Sequence, residues 1–123
     1  MKTILIIDDS ISIRQVVSLT LRTSGYNVVE AVDGHDALSK LASVKPNMII
    51  CDINMPNMDG LTFLKTIKNE SQYAEFKFLP IVMLTTVAEE DKKQEGQEAG
   101  AKAWIVKPFQ PDKLLSAVQK LIL

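Results

Sequence analysis

Residues 48–60 read Met-Ile-Ile-Cys-Asp-Ile-Asn-Met-Pro-Asn-Met-Asp-Gly. The apolar run from Met48 to Cys51 predicts a short strand that is buried on both faces. The stretch from Asp52 to Gly60 is dense in turn-forming residues, so we expect a loop that leaves the Asp52 carboxylate exposed at its rim. Residues 48–60 therefore predict a buried strand that ends in an acidic side chain.

Four further runs of β-branched or large apolar residues have the same character. They predict four more buried strands, over Ile4 to Ile7, Val28 to Val32, Ile81 to Leu84 and Trp104 to Val106. Stretches with helical spacing follow each strand. This alternation predicts an α/β fold, with a doubly wound parallel sheet covered by helices on both faces.

The stretch after the first strand predicts an amphipathic helix. A capping box is available from Ser12 to Gln15, and Gly25 ends the helical pattern. The expected core face is formed by Ile13, Val16, Val17 and Leu21.

Three more helices are expected to begin after Asp33, Asp59 and Pro111. We expect the last of them to run to the chain end and to dock onto the sheet. Their expected apolar faces consist of Ala37, Leu38, Leu41 and Ala42, then Leu61, Leu64 and Ile67, and finally Leu114, Leu115, Val118, Leu121 and Ile122.

The fourth helical stretch, Ala88 to Glu98, has almost no large apolar side chain. An internal Gly96 disfavours the helix by up to about 1 kcal/mol relative to alanine. We therefore expect weak packing here. The stretch is either a moving part of the protein or a plain solvated helix held by side-chain ion pairs.

Length and charge limit the functions that are open to this chain. With 123 residues, 46% of them apolar, we expect one domain over residues 1–123 and no further output domain. The 14 basic and 15 acidic residues nearly cancel, which argues against direct binding to nucleic acid or to a membrane. The single Cys51 favours a buried thiol, and the absence of a leader favours the cytoplasm.

The residues at the ends of the predicted strands carry the chemistry, because the carboxyl ends of parallel strands form the ligand-binding edge of such a sheet. They are Asp8, Asp9, Asp52, Thr85 and Lys107. Crowded carboxylates repel one another unless a cation compensates them. Oxygen ligands without histidine or cysteine favour magnesium. Asp52 can then attack phosphorus, with Lys107 and Thr85 supplying charge and a hydrogen-bond donor.

These residues resemble the receiver domain of two-component response regulators, and in particular its chemotaxis members of the CheY type. The resemblance rests on Asp8-Asp9-Ser10, Asp52 with Met55-Pro56 and Asp59-Gly60, Thr85, and Lys107-Pro108-Phe109. It covers the whole chain. It implies a flavodoxin-like fold with five helices and the strand order 2-1-3-4-5.

The resemblance also implies a role for each site residue. Asp52 is the expected phosphoacceptor. Asp9 is expected to bind Mg²⁺ directly, Asp8 through water, and Asn54 through its backbone carbonyl. Thr85 is expected to hydrogen-bond the phosphoryl group.

Further expectations concern the end of the last strand and its surroundings. Lys107 is expected to pair with the phosphoryl group, and the Lys107–Pro108 bond to be cis. Trp104 replaces the usual tyrosine or phenylalanine of the switch, and Val87 replaces an acid or amide that positions water. Residues 69–79 are slightly longer than usual and are expected to form a surface loop.

A histidine kinase is the implied phosphodonor, since the only histidine, His35, is expected to be a solvated residue at a helix start. Arg14, Lys92 and Lys93 are expected to be solvated helix charges. The implied target surface consists of the fourth helix, the fifth strand and the fifth helix, with the flagellar switch as a candidate target.

Three alternatives remain open. The first is a relay or phosphate-sink receiver outside chemotaxis. The second is an aspartate-nucleophile phosphatase, which is disfavoured because Asn54 stands where that class carries a second acid. The third is a flavin-binding module, which is disfavoured because Asp8 and Asp9 repel a phosphate.

Overall fold

The computed structural model describes residues 1–123. Five strands alternate with helices, and each strand lies within one residue of its predicted bounds at either end. The strands are β1 (Thr3–Ile7), β2 (Asn27–Ala31), β3 (Met48–Asp52), β4 (Ile81–Thr85) and β5 (Ala103–Val106). The α-helices are α1 (Ile11–Thr23), α2 (Gly34–Val44), α3 (Gly60–Asn69), α4 (Lys93–Glu98) and α5 (Pro111–Leu121). Two 3-10 helices are added at Ser71–Phe76 and Val87–Lys92.

All neighbouring strands are parallel, in the order β2-β1-β3-β4-β5. This is the predicted flavodoxin-like order, and it confirms the fold class. Ile7 lies opposite Cys51 and Thr85 lies opposite Val106, so the strands end together along one edge. The residues that follow the strands are therefore brought to the same edge of the sheet.

The core forms one layer on each face of the sheet, because successive strand side chains point to opposite faces. Leu5 and Ile7 pack with α2 and α3, whereas Ile4 and Ile6 pack with α1 and α5. None of the helices combines the length with the apolar character that a transmembrane span requires.

The start of α1 differs from the prediction. Ser10, not Ser12, is the N-cap, and its hydroxyl accepts a hydrogen bond from the Ile13 N–H at 3.3 Å. Val16 is 49% exposed and is not part of the core face. The buried stripe repeats every four residues through Val17 and Leu21, and Val16 lies one residue off that stripe.

The predicted caps of α2 and α3 are confirmed. Asp33 accepts a hydrogen bond from the Asp36 N–H, and Asp59 accepts one from the Thr62 N–H, both at 2.8 Å. Ala42, predicted on the core face of α2, is exposed instead.

The segment between α3 and β4 was expected as a surface loop. Most of its residues are exposed, as predicted, but it is not an irregular loop. It forms the 3-10 helix Ser71–Phe76, whose Phe76 is buried in the α2–α3 layer. Lys68 fixes the end of this segment by donating to the carbonyl oxygens of Lys77 and Leu79 at 2.7 and 3.0 Å.

The stretch from Ala88 to Glu98 does not form one continuous helix as predicted, and with Thr86 and Val87 it makes up the 86–98 segment. A 3-10 helix (Val87–Lys92) precedes the short α4, and Gly96 is the only buried residue of this 86–98 segment. A Cβ atom on Gly96 would overlap the ring of Trp104. Gly96 is therefore the point at which the segment packs closely against β5.

Candidate functional site

Asp8 and Asp9 follow β1 directly, and they differ in burial. Asp8 is fully buried and Asp9 is exposed. One carboxylate oxygen of Asp8 accepts a hydrogen bond from the Ser10 N–H at 2.9 Å, just before α1. The turn into α1 therefore orients the Asp8 side chain.

Arg14 holds the same turn from the other side. Its guanidinium donates to the Asp8 carbonyl oxygen at 2.6 Å and to Glu30 at 3.0 Å. The side chain is only 12% exposed, so the prediction of a solvated helix charge is wrong for Arg14. Arg14 acts through the backbone of Asp8 and through β2, which carries Glu30.

Asp52 is the last residue of β3 and is only 5% exposed. The sequence predicts an exposed carboxylate at the rim, and this is wrong. α3 begins directly against the end of β3. The Gly60 N–H donates to the Ile53 carbonyl oxygen at 2.8 Å, and a Cβ on Gly60 would overlap the Asp52 carbonyl oxygen. This close approach covers the backbone at the strand end, and Lys107 contacts the carboxylate itself at 2.9 Å.

The three acids meet in one cluster. Asp8, Asp9 and Asp52 each offer a carboxylate oxygen, and these three oxygens lie within 4.8 Å of one another. Asn54 is exposed two residues beyond Asp52, and its carbonyl oxygen accepts no backbone hydrogen bond. The structure therefore brings together oxygen donors of the kind that Mg²⁺ prefers.

Lys107 supplies the positive charge of the pocket from the end of β5. Its ammonium nitrogen lies 2.9 Å from Asp52 Oδ1 and 3.3 Å from Asp8 Oδ2. Its backbone N–H donates to the Thr85 carbonyl oxygen at 2.6 Å, and the Lys107–Pro108 peptide bond is cis. Strand pairing thus carries the lysine to the acids.

The pKa values of Asp52 and Lys107 both lie above their usual values, for different reasons. Burial is the main reason that the pKa of Asp52 rises from 3.8 to about 6, and the hydrogen bond from Lys107 opposes the rise. Burial also works to lower the pKa of Lys107, but the contacts with Asp52 and Asp8 outweigh it, and that pKa lies above its usual value. The lysine stays charged at neutral pH.

Thr85 closes the pocket at the end of β4 and is fully buried. Its hydroxyl lies 3.2 Å from Glu89 Oε1 and 3.2 Å from the Thr86 carbonyl oxygen. All five residues predicted from the strand ends, Asp8, Asp9, Asp52, Thr85 and Lys107, lie at this one edge of the sheet.

A sequence model of the response regulator receiver domain matches residues 4–119. The chain belongs to the response regulator receiver domain family. Receiver domains are the phosphorylation switches of two-component systems, with a histidine kinase as phosphodonor and a downstream target. The family resemblance noted from the sequence is confirmed.

Comparison with individual proteins agrees with this assignment. The solved structure of the chemotaxis protein CheY4 of Vibrio cholerae is 49% identical, with a TM-score of 0.89 over 99% of each chain. Protein PilG of Pseudomonas aeruginosa is 38% identical over 116 residues, which are 94% of this receiver domain and 84% of PilG.

Longer relatives match as well. The alkaline phosphatase synthesis transcriptional regulatory protein PhoP of Bacillus subtilis is 36% identical over 121 residues, which are 98% of this receiver domain and 48% of PhoP. The chain spans about half the length of the transcriptional regulators that it matches.

Trp104 lies on β5 of the receiver domain, opposite Met83 of β4. Its ring is half-buried against Gly96, and its indole N–H is buried without a hydrogen-bond partner. A surface pocket of about 360 Å³ extends from Trp104 along Val106 and Phe109 to Lys113 on α5. This pocket contains none of the three acids.

Sequence reasoning missed three residues that support the site. Arg14 and Glu30 lie 16 positions apart, and no spacing rule links them. Glu89 was detectable, because Thr86 and Glu89 have the spacing of a capping box, and the structure contains that box.

Proposed function

We propose that Asp52 of this receiver domain accepts a phosphoryl group from a histidine kinase in a magnesium-dependent reaction. The observation that supports this most directly is the contact of Asp52 with Lys107 inside the three-acid cluster. Asp8, Asp9, Asp52 and the Asn54 carbonyl would hold the ion.

The donor set fits magnesium by its chemistry. It consists of carboxylate and carbonyl oxygens, and three carboxylates face one ammonium group, so negative charge is in excess when all are ionised. The nearby Cys51 thiol is buried, and burial raises its pKa far above the usual value, so it stays protonated and is a poor ligand. A bound ion supplies positive charge to the carboxylates and to the phosphoryl oxygens.

The protein's own residues account for the transfer. Oδ1 of Asp52 accepts hydrogen bonds from Lys107 and from the Ile53 N–H at 3.0 Å, which orients the carboxylate. An oxygen–phosphorus bond forms at Asp52 as the phosphorus–nitrogen bond of the donor phosphohistidine breaks. Lys107 then pairs with the phosphoryl oxygens, and Thr85 donates to one of them.

Acetyl phosphate tests this proposal without the cognate kinase. We expect one phosphoryl group per chain by intact-protein mass spectrometry when magnesium is present, and none after chelation. Asp52→Asn should abolish the modification, whereas Asp91→Asn, an exposed acid in the 86–98 segment, should retain it. Modification of Asp52→Asn at the wild-type level would contradict the proposal.

Phosphate release from a small phosphate ester separates a switch from a phosphatase. Asn54 occupies the position at which an aspartate-nucleophile phosphatase would need an acid. A switch releases about one phosphate per chain and slowly, whereas many turnovers on a small ester would favour the phosphatase.

The output is proposed to be protein binding in chemotaxis, through the surface of α4, β5 and α5. The 49% identity to the chemotaxis protein CheY4 and the pocket beside Trp104 and Lys113 support this choice. Relatives also include transcriptional regulators, so a role outside chemotaxis stays the alternative. That role would be a relay or a phosphate sink. The cytoplasmic location stays a prediction.

Titration against a flagellar switch component tests the chemotaxis output. Beryllofluoride with magnesium should strengthen binding, and Lys113→Glu should weaken it. Lys120→Glu, on an exposed site of the same helix, is the matched control and should bind as the wild type does. Unchanged binding on addition of beryllofluoride would favour the relay or phosphate-sink alternative.

A further inference from the structure

Glu89 belongs to the first turn of the 86–98 segment, and its side chain reaches back to the end of β4. Its Oε1 atom accepts hydrogen bonds from the Thr86 N–H at 3.0 Å and from the Thr86 hydroxyl at 3.1 Å. The same oxygen lies 3.2 Å from the hydroxyl of Thr85. One carboxylate oxygen thus gathers donors from two consecutive residues at the end of β4.

A capping function does not explain all of these contacts. The capping box at the start of the 3-10 helix Val87–Lys92 involves Thr86 and Glu89 alone. The contact with Thr85 is additional, and Thr85 is the buried threonine of the phosphoryl pocket. Glu89 therefore connects the pocket to the first turn of the 86–98 segment.

The Thr85 hydroxyl has only one hydrogen to donate. In the structure its acceptors are Glu89 Oε1 and the Thr86 carbonyl oxygen, both at 3.2 Å. While either holds the hydrogen, the hydroxyl cannot donate to a phosphoryl oxygen. Of the two, the carboxylate forms the stronger bond because it is charged.

Glu89 carries that charge at neutral pH. Partial burial works to raise its pKa, but hydrogen bonds from Thr86 and Thr85 outweigh burial, and the pKa of Glu89 lies below its ordinary value. Its negative charge also reaches the phosphoacceptor, where it adds to burial and to Asp8 in raising the pKa of Asp52.

We propose that Glu89 is a positioning residue that holds the Thr85 hydroxyl in the resting state and competes with the phosphoryl group for it. This inference rests on the proposed phosphorylation of Asp52. Phosphorylation draws the Thr85 hydrogen to the phosphoryl oxygen and leaves Glu89 bound to Thr86 alone. The start of the 86–98 segment thereby loses one of its links to β4.

Beryllofluoride, used with magnesium as a phosphoryl mimic, measures this competition by calorimetric titration. Glu89→Gln keeps an oxygen that can cap Thr86 but makes the bond to Thr85 a neutral one. The difference between a charged and a neutral acceptor predicts about three- to tenfold tighter binding of beryllofluoride. Glu90→Gln removes the same charge from the exposed neighbour and should change the affinity by less than about twofold.

A second background separates positioning from capping. In Thr85→Val the hydroxyl is absent, so the gain in affinity from Glu89→Gln should shrink to the part that the lost charge alone supplies. An effect through the cap of the 3-10 helix, or through charge alone, would persist in this background. Thermal unfolding of each variant verifies that the chain is folded.

Each outcome decides a different point. No binding of beryllofluoride by the wild-type chain would overturn the proposed function, and the role of Glu89 with it. Binding by the wild type with equal affinities for Glu89→Gln and Glu90→Gln would overturn only the role of Glu89. An equal gain in the wild-type and Thr85→Val backgrounds would overturn it as well.

Discussion

β4 and the 86–98 segment are neighbours in the chain, but they differ sharply in burial. Every residue of β4 is buried, whereas Gly96 is the only buried residue of the segment that follows. The acids lie at the ends of the buried strands β1 and β3, where rearrangement would expose apolar surface. The segment can rearrange with little loss of burial. β4 therefore holds its site residue in a fixed position, whereas the 86–98 segment can change conformation at low free-energy cost.

Two valines on either side of Thr85 give the largest expected difference. Val82 in β4 is fully buried, and Val87 in the segment is 68% exposed. Val82→Ala should lower the free energy of unfolding by about 3 kcal/mol through lost burial and a cavity. Val87→Ala should change it by less than about 0.5 kcal/mol. Chemical denaturation measures both, and equal losses would contradict the proposed contrast.

The same valine bears on phosphoryl lifetime. Val87 stands where many receivers carry an acid or amide, and its influence on dephosphorylation stays a prediction. The stability measurement on Val87→Ala separates any kinetic effect of this position from a folding effect.

The pH dependence of stability is the next largest effect, and it tests the buried side of the comparison. The pKa of Asp52 is raised from 3.8 to about 6 in the folded chain, mainly by burial. The folded state therefore binds more protons than the unfolded state between these values. Stability from this group is present below pH 3.8 and is lost as the pH rises through about 6.

Metal-free buffer and a variant isolate this contribution. The free energy of unfolding should fall by about 2 kcal/mol across this pH range. This is less than the full pKa shift of Asp52 implies, because solvent screening reduces the effect. Asp52→Asn should remove this part of the pH dependence, whereas Asp91→Asn, exposed in the 86–98 segment, should retain it. An unaltered pH profile in Asp52→Asn would show that another group is responsible.

Gly96 is the one buried position in the otherwise mostly exposed 86–98 segment. Its substitution has the smallest expected effect on stability. Alanine favours a helix by up to about 1 kcal/mol over glycine. A Cβ here would overlap the Trp104 ring, and overpacking destabilises by about 1–3 kcal/mol. We expect Gly96→Ala to lower stability by about 1 kcal/mol and to shift the fluorescence of Trp104.

A control and a rescue sharpen this expectation. Gln97→Ala, at the exposed neighbour in α4, should leave both stability and fluorescence nearly unchanged. The smaller ring of Trp104→Phe should recover part of the stability lost in Gly96→Ala. A more stable Gly96→Ala chain would mean that helix propensity outweighs the contact with Trp104.

Strands and helix caps were predictable because their signals are local. A run such as Met48 to Cys51 predicts its own strand, and Asp33 and Asp59 predict their own caps. Local signals did not identify the N-cap of α1, and they placed Ala42 wrongly on the core face of α2. Ser10 and Ser12 are chemically equivalent as caps, and only the exit of the chain from β1 selects between them.

Residues of the site were predictable to the extent that they follow strands. Asp8, Asp52 and Thr85 end or follow buried runs, and parallel strands end at one edge of the sheet. The burial of the Asp52 carboxylate was not predictable, because its partner Lys107 lies 55 positions away in the chain. Glu89 was open to prediction from its capping spacing, but its contact with Thr85 was not.

The order of apolar runs and turn residues alone determined the α/β alternation, the acids at the strand ends and the family of this chain. Those features depend on each residue and its near neighbours. Only the tertiary structure decided the Arg14–Glu30 pair, the contact of Gly96 with Trp104 and the insertion of Phe76 into the core. Such contacts join distant positions, and the packing of whole elements against the sheet determines which side chains meet.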